Sequence, residues 1–287
     1  VMFPLSGDRF RIGYLYDLTW GGSAAFKKLG KSGLTPGFKV GGEHGMFYWW
    51  AGMKIVVAET APESSTTEQG TTVEITREEA LYSGLAGMGI EPIEGLSVDL
   101  SGGHIQQAYN QLPDLAGEIV TSSGLSVRLA YGRGLRVGLS SDLRLVRNDR
   151  EYLESLSRRP TYDPGGGLSW RIALEGNLIA QVLGDPEFQG ATARQWASAA
   201  ALDARLQWDY WRINVTGVYR SLQFSVLNSP GLSPWLAFSE KMDAMAQIFG
   251  AASVDYHVPS LGLTPGLQVG VEMPGALRTE LSETIVG

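Results

Sequence analysis

The sequence predicts an all-β protein, a transmembrane antiparallel up-and-down β-barrel of about fourteen strands, with about twelve as the alternative count. Three observations predict this fold. Apolar and polar residues alternate with period two in many segments of the 287-residue chain, which is the pattern of strands with one apolar and one polar face. Aromatic residues stand near the ends of the apolar faces, and short turns alternate with longer polar connections.

The stretch from Phe10 to Trp20 shows the alternation most completely. Its even-numbered positions are all apolar or aromatic, and its odd-numbered positions are mostly small or polar. A tilted strand of about 9–11 residues crosses the hydrocarbon layer of a bilayer. The stretch is therefore predicted to cross the membrane as a strand, with the sequence Phe-Arg-Ile-Gly-Tyr-Leu-Tyr-Asp-Leu-Thr-Trp.

Further segments are predicted to be strands because apolar residues recur at every second position. In chain order they are 34–41, 47–57, 82–90, 96–100, 125–131, 135–145, 168–174, 178–182, 196–208, 213–219, 246–256, 261–271 and 277–287. Three assignments decide the strand count: the short segment 34–41, the turn at Glu175-Gly176-Asn177, and the tail. Merging or dropping them gives the count of about twelve.

The connections between these segments alternate in length. Short turns are expected near positions 43, 93, 133, 176, 210 and 259, and long polar segments near 27, 69, 115, 157, 189 and 235. Two long connections are expected to hold a short helix, one at the capping-box pair Asn148 and Glu151 and one at Ser233-Pro234. The chain, 1–287, is thus predicted to be a single barrel domain with short periplasmic turns and long extracellular loops.

Composition excludes several other classes of protein. No uninterrupted apolar run of about 18 residues occurs, so no transmembrane helix is predicted. The net charge of -7 gives no support for nucleic-acid binding. With no Cys and 3 His in the sequence, neither a transition-metal site nor another cofactor is expected.

A soluble β-sandwich would also alternate, but two features favour the membrane barrel. The opposite faces of the strands carry Arg, Asp, Gln and Gly, which a sandwich core would exclude. The apolar faces carry aromatic residues near strand ends, as expected where the apolar interior of a membrane meets water. The residues predicted to face lipid there are Tyr14, Trp20, Trp170, Trp196, Trp208 and Tyr256.

This organisation resembles that of Gram-negative outer-membrane β-barrels of the porin-like kind, and Phe10 to Trp20 looks like a first strand of such barrels. The resemblance covers nearly the whole chain and implies a place in the bacterial outer membrane, in contact with the lipid bilayer and with lipopolysaccharide. The last strand of these barrels usually ends in an aromatic residue, whereas this sequence ends in Ile285-Val286-Gly287. Either the natural chain continues, or this barrel departs from that signal.

The polar faces suggest a function. If the apolar faces point to lipid, a lumen is lined by Arg11, Asp17, Arg128, Arg136, Asp142, Arg144, Arg171, Asp203, Arg205, Arg212 and Arg220. A lumen rich in arginine favours anions, which predicts a porin-like channel for small polar or anionic solutes. Two alternatives stay open: a lumen closed by Arg–Asp networks, and a structural anchor within a multiprotein envelope or surface assembly of the motility or secretion type.

Catalysis is not expected. Asp255 and His257 lie two residues apart on one strand face and resemble the Asp–His pair of outer-membrane proteases. Such enzymes also need further carboxylates to hold a water molecule, and no Asp-x-Asp motif is present. The protein is therefore expected not to be an enzyme, with an outer-membrane hydrolase kept as a minor alternative.

Overall fold

A computed structural model describes residues 2–3, 37–60, 63–66, 72–75, 77–135, 167–226, 235–239, 243–274 and 276–278 of the chain. These residues form long strands with little helix. No helix in these ranges is long and apolar enough to cross a membrane.

Fifteen strands and two short helical segments make up the described residues. In chain order the elements are β1 Met2–Phe3, β2 Gly37–His44, β3 Phe47–Glu59, β4 Glu63–Thr66, β5 Thr72–Ile75, β6 Glu78–Ile93, β7 Leu96–Tyr109, a 3-10 turn Pro113–Leu115, β8 Ile119–Arg133, β9 Leu168–Gly184, β10 Thr192–Trp208, β11 Trp211–Arg220, α1 Leu222–Val226, β12 Asp243–Met245, β13 Gln247–Tyr256, β14 Gly266–Met273 and β15 Ala276–Arg278.

Eleven of these strands form one antiparallel sheet in the order β1-β2-β3-β6-β7-β8-β9-β10-β11-β13-β14. Each strand pairs with the next long strand along the chain, because the short β4–β5 hairpin and the β12–β15 pair stand apart from the main sheet. The all-β, antiparallel, up-and-down part of the prediction is therefore confirmed. Among the described residues the sheet is open, with β1 at one edge and β14 at the other.

The predicted turn at Glu175-Gly176-Asn177 is wrong. β9 runs without interruption from Leu168 to Gly184, and Gly176 pairs with Val127 on one side and Ala200 on the other. Glu175 and Asn177 are both buried side chains of this strand. Two polar residues that flank a glycine are typical of a turn in sequence, but here they belong to a polar strand face that is covered.

Two other predicted connections are shorter or more ordered than expected. β7 continues to Tyr109 and β8 begins at Ile119, so the predicted loop over 108–123 is reduced to 110–118. The predicted long loop over 59–78 contains the β4–β5 hairpin. At the C-terminal side, the predicted strand 261–271 begins only at Gly266, because Leu261 and Leu263 lie in the preceding turn.

Other predicted features lie outside the described residues. These are the strand from Phe10 to Trp20, the segment from 136 to 145, the short helices near Asn148 and at Ser233-Pro234, and the tail after Arg278. The same holds for the predicted site residues Arg11, Tyr14, Asp17, Trp20, Arg136, Asp142 and Arg144.

The main sheet has two faces of opposite character, shown best by β8. Leu125, Val127, Leu129 and Tyr131 are 45–47% exposed, whereas the alternate residues, from Ser122 to Ala130, are mostly buried. We call the first side the exposed face and the second the covered face, and the strand register extends both across the sheet. Side chains on one face alternate with those on the other because successive residues of a strand point to opposite sides.

Candidate functional site

The exposed face is apolar from strand to strand. Trp208 is 56% exposed, Leu267 65% and Val271 73%. Among the described side chains, charged residues of this face stand only near strand ends, at Glu78, Arg133 and Arg194. Water-soluble monomers rarely expose a continuous apolar surface of this kind, so the face is suited to contact with an apolar medium.

The height of the apolar surface matches a lipid layer. On β3 the apolar run of this face extends from Phe47 to Val57, and on β6 from Ala80 to Ile90. Eleven residues at about 3.3 Å each span about 36 Å along a strand, which corresponds to a height of about 25 Å for strands tilted near 45°. This is the height of the apolar band of outer-membrane barrels.

Aromatic residues gather at the two ends of the exposed face. At the end with the short turns, the rings of Tyr131 and Trp170 pack edge to face with centroids 5.3 Å apart, and those of Trp211 and Tyr256 are 4.7 Å apart. At the opposite end, exposed aromatic side chains are Tyr82, Trp196 and Tyr219. Of the aromatic residues predicted to face lipid, Trp170, Trp196, Trp208 and Tyr256 all lie on the exposed face.

The covered face carries the predicted arginines that the structure describes. The register places Arg128, Arg171, Arg205, Arg212 and Arg220 on this face. Asp203 lies on it as well. The predicted arginines that the structure describes therefore share one side of the sheet.

Most of these arginines are paired with aspartates. Arg128 Nη1 lies 3.4 Å from Asp99 Oδ2, on the neighbouring strand. Arg212 Nε donates to both carboxylate oxygens of Asp255 at 3.1 Å, again between neighbouring strands. Such pairing reduces the net positive potential that a row of arginines would otherwise create.

Asp203 is shared by two arginines. Arg171 donates to Asp203 Oδ1 through Nη2, and Arg205 Nε lies 3.3 Å from the same oxygen. The Arg205 side chain is 51% exposed, whereas those of Arg171 and Asp203 are 17% and 27% exposed. The group has one positive charge in excess, and Arg205 presents it to solvent.

A second polar group on the covered face is buried and consists of uncharged side chains. Ser122 Oγ donates to Gln107 Oε1 at 2.6 Å, and Gln181 Nε2 donates to both Gln107 Oε1 and Ser122 Oγ. These three side chains are each 6% exposed or less and hydrogen-bond one another, while Gln107 Nε2 is buried without a partner among the described residues. Buried polar groups without such partners would cost about 1–3 kcal/mol each. This group could not be predicted from the sequence pattern, because Ser122 fell in the predicted loop over 108–123 and Gln107 directly before it.

A dry cluster covers part of the same face. Phe224 of α1 is 2% exposed and packs with Trp50, Leu85, Ile105 and Ile179, which come from four different strands. Around this position the covered-face sites of neighbouring strands are small: Gly52, Gly103, Gly124 and Ala197. These small residues leave the space that the Phe224 ring occupies. Sequence analysis missed α1 altogether.

Two aromatic side chains lie flat over glycines on this face. Tyr48 is opposite Gly89 and Trp50 is opposite Gly87 in the β3–β6 register. A Cβ atom built on either glycine would overlap the facing aromatic ring. Alternate glycines at 87 and 89 were the one available sequence signal for this packing, because a glycine in a strand marks close approach of another group.

The Asp–His pair of the minor enzyme hypothesis is held by other residues. Asp255 binds Arg212, and His257 Nδ1 lies 3.0 Å from Thr264 Oγ1. Within the described ranges, no group of three or more His, Asp or Glu is arranged to hold a metal ion. The geometry therefore adds nothing to the hydrolase hypothesis.

Comparison with known proteins finds no matching family model, no similar curated protein and no similar solved structure.

Proposed function

We propose that the chain is a β-barrel of the bacterial outer membrane, with its exposed face against lipid and its covered face toward the lumen. The single observation that carries the proposal is the inverted distribution of polarity. Buried side chains include Arg128, Glu175 and Gln181, while large apolar side chains stand in the open. A sheet in water is most stable with its apolar side chains buried and its charged side chains exposed, because removing apolar surface from water lowers the free energy. A lipid environment favours the arrangement found here.

Closure of the sheet is part of the proposal. In hydrocarbon, the unpaired N–H and C=O groups of the edge strands β1 and β14 would each cost several kcal/mol. We infer that these edges join through further strands, among them the one predicted from Phe10 to Trp20. The total is then about fourteen strands, or about twelve if fewer segments take part.

Cysteine labelling tests the orientation of the faces, and the absence of Cys from the sequence removes any background. Val215 lies on the exposed face and its neighbour Asn214 on the covered face. In liposomes, we expect a water-soluble maleimide to label Asn214→Cys and to spare Val215→Cys, while brominated lipid quenches a fluorophore attached at Val215→Cys. Labelling of Val215→Cys from water, with Asn214→Cys protected, would reverse the assignment and end the proposal.

Within such a barrel, a porin-like channel for small polar solutes is the function that the covered face supports best. On β10, β11 and β13 this face is half-exposed and polar, with Arg205, Asn214 and Ser253 among its residues. Since Asp203 and Asp255 balance most of the arginines there, the expected preference for anions is modest.

Conductance in planar bilayers tests the channel. The purified protein should give discrete conductance steps, and Arg205→Gln should lower the anion-to-cation permeability ratio because it removes the excess positive charge near Asp203. Arg133→Gln is the matched control, since Arg133 lies on the exposed face at a strand end. If the protein inserted into the bilayer without any conductance, the channel function would be contradicted, but the barrel fold would not.

A structural anchor is the second candidate, and the Phe224 cluster favours it. A loop helix that fills part of the covered face with a dry cluster leaves less room for solutes. If the lumen is filled in this way, wild-type protein should not conduct, and Phe224→Ala should open a pathway. The anchor hypothesis would also require a stable envelope partner in cross-linking from intact cells, and its absence would count against this candidate.

A further inference from the structure

A cleft lies at the end of the sheet opposite the short turns. It is bounded by the β9–β10 connection, the start of β10, Gln223 of α1 and residues 237–239, and its volume is about 530 Å³. Clefts of about 300–1,000 Å³ are the usual size of small-molecule sites. None of the functions considered above uses it.

The wall formed by the β9–β10 connection is held by its own hydrogen bonds. Asp185 Oδ1 accepts the N–H groups of Glu187 and Phe188 at 2.8 and 3.2 Å. The N–H of Asp185 donates to Ala191 O at 2.9 Å and closes the turn. The cleft is therefore preorganised on this side, which lowers the entropic cost of binding.

The opposite wall is fixed to the sheet. The N–H of Ala237 donates to Gly184 O at 2.9 Å, and the N–H of Phe238 donates to Gln195 Oε1 at 2.7 Å. Ser239 Oγ donates to Glu187 Oε1 at 2.9 Å and joins the two walls. Both acidic side chains of the cleft, Asp185 and Glu187, thus already accept hydrogen bonds from the protein.

Both carboxylates keep their negative charge and further acceptor sites, and Arg194 is the cation among the described residues that line the cleft. In the part of the chain that the structure describes, neither the guanidinium of Arg194 nor the side-chain amides of Gln195 and Gln223 donate to a protein acceptor. Arg194 alone offers five N–H groups in a planar fork that fits carboxylate or phosphate. The cleft therefore offers one position for an anionic group, at Arg194, and carboxylate and amide groups for the hydroxyls of a ligand.

Two exposed aromatic side chains complete the cleft. Phe188 is 67% and Trp196 is 55% exposed. Their flat apolar faces can pack against the C–H face of a sugar ring. An inorganic anion would leave these aromatic faces unused, and an apolar molecule would leave Arg194 without a partner.

We propose that this cleft binds an acidic saccharide, with its phosphate or carboxylate group on Arg194 and its ring against Trp196 and Phe188. The saccharide can be free or can be the head group of a glycolipid, since both present the same chemistry. The proposal concerns a cleft at one end of the sheet, and it does not depend on whether the protein conducts ions.

Calorimetric titration of the full chain in detergent micelles tests the proposal. The probes are glucose 6-phosphate, glucuronic acid, glucose and inorganic phosphate. We expect the two acidic sugars to bind at least about tenfold more tightly than glucose or phosphate alone, because only they engage both Arg194 and the aromatic faces. Vesicles that contain a phosphorylated glycolipid form a separate arm, and binding in that arm alone assigns the ligand to a lipid head group.

Variants separate the cleft from the rest of the protein. Arg194→Gln should abolish the preference for the acidic sugars over glucose, and Trp196→Ala should weaken all sugars about tenfold. Trp208→Ala is the matched control, since Trp208 lies on the same strand and face with 56% exposure but at the other end. Absence of binding in both arms, or equal losses in Trp196→Ala and Trp208→Ala, would overturn the proposal. Neither result would alter the cysteine labelling or the conductance, which test the barrel and the channel.

Discussion

Two regions of the covered face share one sequence pattern but differ in access to solvent. On β7, β8 and β9 the polar residues are sealed: Ser97 and Ser122 are 0% exposed and Gln181 is 2% exposed. On β10, β11 and β13 polar residues of the same face are half-exposed, and the Arg205 side chain is 51% exposed. Both regions follow the same alternation of apolar and polar residues, so the alternation alone does not determine which region is accessible to water.

The difference comes from what lies over the sheet. α1 follows β11 directly and brings Phe224 against residues of β3, β6, β7 and β9. In the sealed region, polar groups depend on partners within the protein, as in the hydrogen bonds that join Gln107, Ser122 and Gln181. In the half-exposed region water can satisfy the same groups. We expect the sealed region to contribute stability and the half-exposed region to contribute solute contact.

Removal of the Phe224 ring should have the largest effect. Phe224→Ala deletes the centre of the dry cluster and should lower the free energy of unfolding by about 3–5 kcal/mol. Urea titration in detergent micelles, followed by tryptophan fluorescence, measures the loss. Phe249→Ala is the control, since Phe249 lies on the covered face of β13 and is only half-buried. Equal losses in the two variants would remove the distinction between the regions.

The second-largest loss of stability should follow from removing the charged partner of a buried carboxylate. Arg128→Gln leaves Asp99 without the cation that faces it in the sealed region. Breaking one side of a buried ion pair costs about 3–5 kcal/mol, and the 16% exposure of the Asp99 side chain places the expected loss near about 3 kcal/mol. The same urea titration measures it. A loss below about 1 kcal/mol would mean that the pair behaves as an exposed one and that the region is not sealed.

A methyl group added beneath an aromatic ring tests the packing of β3 on β6. Gly89→Ala would force the Tyr48 ring to move and should cost about 1–3 kcal/mol. Gly176→Ala is the matched control, because a Cβ atom there meets no atom within 4 Å. That variant should be neutral or slightly stabilising, as alanine restricts the unfolded chain more than glycine does. A neutral Gly89→Ala would show that the Tyr48 ring is loosely held.

Alternation allowed the faces of the described strands to be predicted correctly. Trp196 and Trp208 point to the exposed face and Arg128 and Arg212 to the covered face, as period two requires. Strand ends were harder to predict where the covered face is polar. Glu175 and Asn177 have turn-like sequence, and Gln107 has loop-like sequence, although all three are buried within or beside strands.

The covering of the face by α1 could not be predicted from local sequence. Leu222–Val226 is only five residues long, and neither its propensity nor its periodicity distinguishes a helix from the end of a strand. Its position depends on small residues such as Gly103 and Gly124, which come from distant parts of the chain and become neighbours only in the sheet. The ion-pair partners depend on register in the same way, since a shift of one residue would place Asp99 on the other face.

The smallest expected effect concerns an ion pair in the half-exposed region. Arg212→Gln removes the partner of Asp255, whose side chain is 17% exposed, about as little as that of Asp99. The Arg212 side chain is 27% exposed, however, against 7% for Arg128, so water reaches this pair more easily. The expected loss is about 1–2 kcal/mol, between that of an exposed and that of a buried pair, and it should shrink as salt is added. Urea titration at low and high ionic strength measures both quantities beside Arg128→Gln, which makes the same substitution in the sealed region. If Arg212→Gln cost as much as Arg128→Gln, solvent would be excluded from both regions, and the covered face would offer no path for a solute.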